Sequence, residues 1–233
     1  MSTDLYAAQK LEYYLEKITG EDISVVTDDV ETSAKEIVVG ETDRVTVEFE
    51  NPKNGSYVIK SDNNKLIIAG YDTRGTIYGV YAFLEKYCGC HWYESEVIVI
   101  PENKNLTVPP GINEEYTAFF EYTEADTVSA LDTEFSLANG LTGGVYRDFA
   151  VEQGSAVEYI GSFAHTLTTY FCKSETYFAE HPEYFALRNG IRKPNQLCLT
   201  NEKVIEIVTS EVLAVLSAHA FCGTQGGVVG GEG

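Results

Sequence analysis

A histidine near the end of a predicted strand is of a residue type that can bind a hydroxylated ligand. His165 and Thr166 lie near the end of an apolar run that predicts a strand over Tyr159–Leu167. A neutral imidazole both donates hydrogen bonds to hydroxyl groups and accepts them. His165 is therefore a candidate contact for a hydroxylated ligand such as a sugar, but a histidine that is hydrogen-bonded inside the fold is the favoured interpretation.

An asparagine follows the next predicted strand along the chain. Thr200 and Asn201 come directly after the strand predicted at Gln196–Leu199. The amide of Asn201 can hydrogen-bond two neighbouring hydroxyls, but it is also suited to cap the helix that follows. One side chain cannot easily do both, and we favour the cap over the sugar contact.

Two arginines flank a predicted turn. Arg188 and Arg192 stand on either side of Asn189-Gly190, a dipeptide typical of tight hairpins. The default interpretation of such charges is a solvated turn. A contact between Arg188 and a substrate is the alternative.

The cysteines could indicate a metal site or a disulfide framework, and neither is predicted. The chain has five, an odd number, and most lie among apolar residues, which favours reduced, buried thiols. Cys88-Gly89-Cys90-His91 has the residue types of half a zinc site but lacks a second paired half at zinc-site spacing. We predict no metal and no cofactor.

The charge of the chain excludes whole classes of partner. Its formal net charge is -20, which repels nucleic acids and anionic membranes. No apolar run is long enough to span a bilayer. The sequence opens Met1-Ser2-Thr3-Asp4 without an export signal, which predicts a cytoplasmic location as written, with secretion open to a full-length form.

The elements up to about Pro109 predict a sheet with helices packed on it. An amphipathic stripe predicts a helix over Ser2–Gly20, and Asp72 or Thr73 can cap a second helix that ends at Gly89. Small residues on one face of this second helix, Gly75, Gly79 and Ala82, would let it lie close to a sheet. Strands are predicted at Ile23–Val26, Glu36–Val39, Tyr57–Lys60, Leu66–Ala69 and Val97–Ile100, the third and fourth of these forming a hairpin.

Past Pro110 the pattern changes to widely spaced strands and helices. The predicted elements are strands at Tyr116–Tyr122, Tyr159–Leu167 and Gln196–Leu199, a short helix Glu175–Glu180, a hairpin strand Tyr184–Arg188 and a helix Glu202–Leu216. A (β/α) barrel begins with a strand, a crossover connection and a second strand, and the predicted order of elements follows this pattern. The predicted fold class is thus α/β, with an accessory domain at 1–109, an incomplete (β/α) barrel at 110–217, and a disordered or truncated glycine-rich tail at 218–233.

Several stretches of the first segment resemble a known accessory domain. They are 8–20 (AQKLEYYLEKITG), 37–42 (IVVGET), 74–85 (RGTIYGVYAFLE) and 89–93 (GCHWY). Together they are similar to the N-terminal accessory domain shared by bacterial β-hexosaminidases and α-glucuronidases. Trp92 is expected to pack in the sheet of this domain.

The second segment resembles a more specific group of enzymes. Residues 177–190 (YFAEHPEYFALRNG) and 196–201 (QLCLTN) are similar to glycoside hydrolase family 163, the endo-β-N-acetylglucosaminidases, formerly filed as a bacterial domain of unknown function. The resemblance implies hydrolysis of a β-linked N-acetylglucosamine by two carboxylic groups. It implies that these groups follow Leu216 in the chain, and that His165 meets the sugar.

One position departs from the resembled pattern. Relatives carry an arginine at the end of the first barrel strand, where this chain has Thr123, which cannot make a forked charged contact. We therefore expect a glycoside hydrolase fragment that binds a glycan and is inactive by itself. It would self-associate if truncated. The alternatives are a non-catalytic carbohydrate-binding or interaction module and an α-glucuronidase relative.

Overall fold

Two compact units, Met1–Val157 and Glu158–Gly233, make up the chain in a computed structural model. The structure describes residues 1–31, 33–62, 64–144, 147–155 and 164–223. Both units combine helices with strands, so the chain is an α/β protein as predicted. The predicted boundary near Pro109 lies inside the first unit, and the assignment of 110–217 to a barrel stays a prediction.

A four-stranded mixed sheet forms the centre of the first unit. Its strands are β1 (Glu36–Val39), β2 (Tyr57–Ser61), β3 (Lys65–Gly70) and β6 (Asn113–Tyr116), in the order β1-β3-β2-β6. Strand β1 runs parallel to β3, whereas β2 is antiparallel to both β3 and β6. The β2–β3 pairing confirms the predicted hairpin, whose residue Asn63 lies outside the described residues.

Two helices pack on this sheet and on each other. Helix α1 (Thr3–Thr19) is capped by the Ser2 side chain and ends at Gly20, and α2 (Thr73–Cys88) is capped by Asp72 and ends at Gly89. Both helices were predicted from these signals. Their buried faces share one core with the sheet residues Ile59, Leu66 and Ile68.

Glycine allows α2 to approach the sheet. A Cβ atom on Gly75 would lie 2.2 Å from the carbonyl oxygen of Ser56, and one on Gly79 would lie 3.0 Å from the Ile68 Cγ2. The first of these positions has no room for a side chain. The predicted small-residue face therefore does contact the sheet.

One predicted strand of the first unit is wrong. Residues 23–26 pair with no strand in the described chain, because their backbone amides bond to a helix instead. The Ile23 N–H donates to Glu16 Oε1 at 3.0 Å and the Val25 N–H donates to Glu12 Oε1 at 3.2 Å. The alternating apolar pattern is present, but its hydrogen bonds go to α1.

The strand predicted at Tyr116–Tyr122 is also largely wrong. Strand β6 ends at Tyr116 and is the edge of the first unit's sheet, paired antiparallel to β2. Beyond it, Phe119 and Phe120 are 78% and 63% exposed, so this apolar run does not form the buried strand of a barrel.

The remaining elements of the first unit are short. Strands β4 (His91–Glu94) and β5 (Val97–Val99) form an antiparallel pair, and Trp92 is buried in the core as predicted. Helix α3 (Thr133–Ala138) and the 3-10 turns Ser129–Leu131 and Val151–Gln153 follow. No helix in the described part of the chain is both long and apolar enough to cross a membrane.

The second unit is built around a hairpin and one long helix. Strands β7 (Phe185–Arg188) and β8 (Ile191–Leu197) are antiparallel and turn at Asn189-Gly190 as predicted, both residues having positive φ. Helix α4 (Ser174–Tyr177) is shorter than predicted. Helix α5 (Glu202–Gly223) continues into 218–223, which belonged to the predicted tail, and the rest of that tail lies outside the described residues.

A small apolar cluster holds the second unit together. It consists of the buried residues Cys172, Tyr184, Phe185, Leu197 and Val204. Most of the strand predicted at Tyr159–Leu167 lies outside the described residues, and its last residue, Leu167, begins a π-helical turn, Leu167–Phe171. This cluster fixes the junction of β8 with α5.

Candidate functional site

The junction between β8 and α5 contains Asn201, one of the candidate residues named from the sequence. Strand β8 ends at the buried Leu197, the Cys198 N–H donates to the Tyr184 carbonyl at 2.8 Å, and the Asn201 N–H donates to the Cys198 carbonyl at 2.9 Å. The chain thus passes from strand to helix in one tight turn.

Asn201 caps α5. Its Oδ1 accepts from the backbone N–H of Lys203 at 2.9 Å and of Val204 at 3.4 Å, and its Nδ2 donates to the Glu183 carbonyl at 3.4 Å. Both ends of the amide are therefore engaged inside the unit. This is the role that the sequence favoured, and a sugar contact at Asn201 would require the side chain to leave it.

His165 is exposed and has unusual backbone geometry. Ala164 and His165 have φ values of 48° and 51°, a conformation that costs roughly 1 kcal/mol or more for residues with a Cβ. The π-helical turn begins two residues later, and such turns are frequent at functional sites. The His165 carbonyl accepts from Thr169 Oγ1 at 2.8 Å, which ties the strained backbone to the turn.

Arg188 and Arg192 have different roles. Arg188 is exposed at the end of the hairpin, where its Cα partner is Ile191. Arg192 donates from Nη1 to the carbonyls of Phe185 and Glu183 and so stabilises the hairpin. Arg188 is the arginine that remains available to a ligand.

The sequence prediction names four residues, and the structure does not join them. Within the described chain, no hydrogen bond links any two of His165, Thr166, Arg188 and Asn201. All four belong to the second unit. Their joint contact with one glycan stays a prediction.

Cys198 is a residue of this junction that the sequence analysis did not single out. It is half-buried, and its Sγ lies 3.4 Å from Thr200 Oγ1. Hydrogen bonds from the Thr200 side chain and backbone, together with the nearby Arg192, lower the pKa of this thiol. The Cys-x-Thr spacing at a strand end is the signal that could have found it.

Cys88 and Cys90 are buried thiols of the first unit. Burial raises the pKa of Cys88 to about 12 and of Cys90 to about 11. Among the described residues, no group of three or more His, Cys, Asp or Glu side chains is placed to hold a metal ion.

Thr123, the residue at which the sequence analysis expects a departure from the resembled pattern, is engaged inside the first unit. Its Oγ1 donates to the Gly140 carbonyl at 2.8 Å and its N–H donates to Thr142 Oγ1 at 3.0 Å. The hydroxyl is thus used to hold two loop segments together.

The fold is that of an α/β protein whose second unit passes directly from the hairpin strand β8 into the helix α5. Residues 92–221 match the family described as a domain of unknown function (DUF4838). This range is more than half of the chain, which therefore belongs to that family. No curated protein matches the chain.

Proposed function

We propose that this chain is the N-terminal, glycan-recognising part of a glycoside hydrolase that acts on an N-acetylglucosamine-containing glycan, and that it includes the opening of a (β/α) barrel. The observation that carries the proposal is the direct passage from β8 into α5 through residues 198–201. In (β/α) barrels, ligands bind at the C-terminal ends of the strands. The resemblance of 177–190 and 196–201 to glycoside hydrolase family 163 falls on this hairpin and junction.

The proposed sugar contacts are exposed or partly exposed residues of the second unit. Asn201 caps α5 through both ends of its amide, so the proposal relies on His165, Thr166 and Arg188. The imidazole of His165 would donate to one sugar hydroxyl or accept from another. The backbone of His165 is in a strained conformation, and such conformations are found preferentially at functional sites.

Turnover by the chain itself is not part of the proposal. Glycoside hydrolysis needs two carboxyl groups on either side of the scissile bond, and the resemblance places them after Leu216. Of the carboxylates near the predicted first barrel strand, Glu124 accepts a hydrogen bond from the Tyr122 hydroxyl. We assign no catalytic pair to the described residues.

The second candidate is a non-catalytic carbohydrate-binding module. It is favoured by Thr123, whose hydroxyl and amide are both bonded inside the first unit at the position where related enzymes hold sugar hydroxyls with arginine. A longer form of the protein without turnover, but with glycan binding, would fit this candidate.

The test is an NMR titration of the chain with N,N′-diacetylchitobiose, alongside a turnover assay on a chromogenic N-acetylglucosaminide. We expect saturable shifts of the backbone amides of 165–166, 188–190 and 198–201, and no turnover. Replacing His165→Ala should weaken binding roughly tenfold, whereas His91→Ala, a half-exposed histidine of the first unit, should leave it unchanged.

Two results would contradict the proposal. If these amides do not respond at the solubility limit of the disaccharide, the second unit is not a glycan site. If the chain hydrolyses the substrate and Glu124→Gln abolishes this, then the catalytic group lies in the first unit.

A further inference from the structure

A half-open cavity of about 300 Å³ lies within the first unit and is lined by residues between 124 and 143 and by Arg147. Its polar lining includes Glu124, Asp126 and Arg147, and its rim includes the exposed apolar side chains Val128 and Leu131. The volume is at the lower end of the range of small-molecule sites, roughly 300–1,000 Å³. A single sugar ring is the size of ligand that it suits.

Arg147 is the feature that makes this cavity a candidate site. Its Nε is buried and has no hydrogen-bond acceptor, and no ion pair to Glu124 or Asp126 is formed within the described part of the chain. A guanidinium cannot lose its proton to relieve this cost. Buried polar groups normally have partners, so the guanidinium of Arg147, which has no acceptor within the described residues, is the donor that this cavity offers to a ligand oxygen.

Glu124 is held in place beside the cavity. Its carboxylate accepts from the Tyr122 hydroxyl and lies against the backbone of Gly144, where a Cβ atom would come within 2.2 Å of Oε1. Gly144 thus leaves room for the carboxylate. One further acceptor position on Glu124 remains for a donor in the cavity, since a carboxylate can accept several hydrogen bonds.

The charges of the lining select the class of ligand. One guanidinium and two carboxylates give a formal local charge of -1, in a chain whose formal net charge is -20. An anionic ligand is disfavoured by this field. A neutral ligand must offer an acceptor to Arg147, hydroxyl donors to the carboxylates and an apolar face to the rim.

We propose that this cavity binds one neutral pyranose ring. A ring or hydroxyl oxygen accepts from Arg147, a hydroxyl donates to Glu124, and the C–H face of the ring lies against Val128 and Leu131. This site goes beyond the proposed function, since its residues are those of 124–147 in the first unit and its occupancy does not depend on catalysis or on His165.

The test uses the Arg147 side chain as its own probe. The chain is titrated with the methyl pyranosides of glucose, galactose, mannose, xylose and N-acetylglucosamine, and with methyl glucuronoside, while the arginine Nε–H cross-peaks are followed by NMR. We expect at least one neutral glycoside to shift the Arg147 Nε–H and the amides of 124–131 saturably. The glucuronoside should bind more weakly than its neutral counterpart.

Three variants sharpen the measurement. Arg147→Lys keeps the charge but removes the Nε–H, and should weaken binding roughly tenfold or more. Gly144→Ala displaces the Glu124 carboxylate and should weaken binding as well. Arg44→Lys is the matched control, because the Arg44 guanidinium is bonded to Glu36 at 2.6 Å inside the first unit, and it should bind as the unchanged chain does.

The outcomes separate this site from the proposed function. Shifts confined to 165–166, 188–190 and 198–201 would support the second unit as the glycan site and overturn the cavity proposal. Tighter binding of the glucuronoside would overturn the neutral-ligand assignment. Full affinity in Arg147→Lys would show that the guanidinium of Arg147 is not the recognising group.

Discussion

Replacement of Glu134 should destabilise the first unit more than any loss of surface charge. In the structure, its carboxylate accepts from the hydroxyl of Tyr14 at 2.5 Å, from that of Tyr81 at 3.3 Å and from Lys10 Nζ at 3.1 Å. Both tyrosines are 1% exposed. Burial raises the pKa of each phenol above its ordinary value, so each remains a donor that needs an acceptor.

The magnitude follows from the donors that Glu134→Ala leaves without an acceptor. A buried donor without a partner costs about 1–3 kcal/mol, and two phenolic hydroxyls lose theirs. The Lys10–Glu134 pair is about a quarter exposed on each side, at 26% and 27%, and adds at most about 1 kcal/mol. We expect a loss of about 2–6 kcal/mol in the free energy of unfolding, and about half of that for Glu134→Gln, which keeps an acceptor.

Trp92 makes the assay selective. It is the only tryptophan of the chain, and its Nε1–H donates to the Tyr14 hydroxyl at 3.0 Å, so its fluorescence during urea unfolding reports on this network. Glu102→Ala, at an exposed carboxylate, is the control. If the free energy of unfolding of Glu134→Ala lies within about 0.5 kcal/mol of that of the control, the reasoning that these buried hydroxyls depend on Glu134 is refuted.

Further predictions concern two buried thiols, one closely packed glycine and one exposed leucine. Burial raises the pKa of Cys88 to about 12 and of Cys90 to about 11, against an ordinary 9.0. The contribution of these two thiols to stability should therefore be constant below pH 9 and fall above it by about 1.4 kcal/mol per pH unit for each thiol. Alanine at both positions should flatten the slope between pH 9 and 10 in urea titrations. Gly75→Ala should lower the thermal midpoint although alanine favours helices, because its Cβ would meet the Ser56 carbonyl oxygen at 2.2 Å; an unchanged midpoint would show that α2 shifts freely. Leu213 on α5 is 57% exposed, and Leu213→Glu should reduce the self-association that we expect of the chain in light scattering, whereas a monodisperse unchanged chain would contradict that expectation.

Local signals in the sequence predicted the helices and hairpins well. Helix α1 begins after its cap Ser2 and ends at Gly20, and helix α2 begins after its cap Asp72 and ends at Gly89. Each signal is adjacent in sequence to the helix that it starts or ends, so it can be recognised without a distant partner. The turn at Asn189-Gly190 is of the same kind, since it depends on the φ preferences of its own two residues.

Pairing between distant segments could not be predicted in the same way. Strand β6 was assigned to a barrel, but its register joins Tyr57 to Tyr116 in the sheet of the first unit. An apolar or alternating run indicates that a strand is favourable and does not say which sheet edge it joins. Residues 23–26 show the same limit, because the acceptors that take their amides, Glu12 and Glu16, lie on a helix.

The candidate site shows this limit most clearly in its carboxylates. Glu124 and Glu134 are ten positions apart in one acidic segment, and nothing in their immediate neighbours separates a structural group from a ligand-binding one. In the fold, Glu134 receives three donors, two of them from tyrosines 120 and 53 positions away in the chain, and is committed to the core. Glu124 receives a donor from Tyr122 and lines a cavity beside Arg147, whose buried Nε has no acceptor in the described chain. The role of each carboxylate is therefore decided by the donors that the fold brings to it, and Glu124 is the one that still has capacity to accept from a ligand.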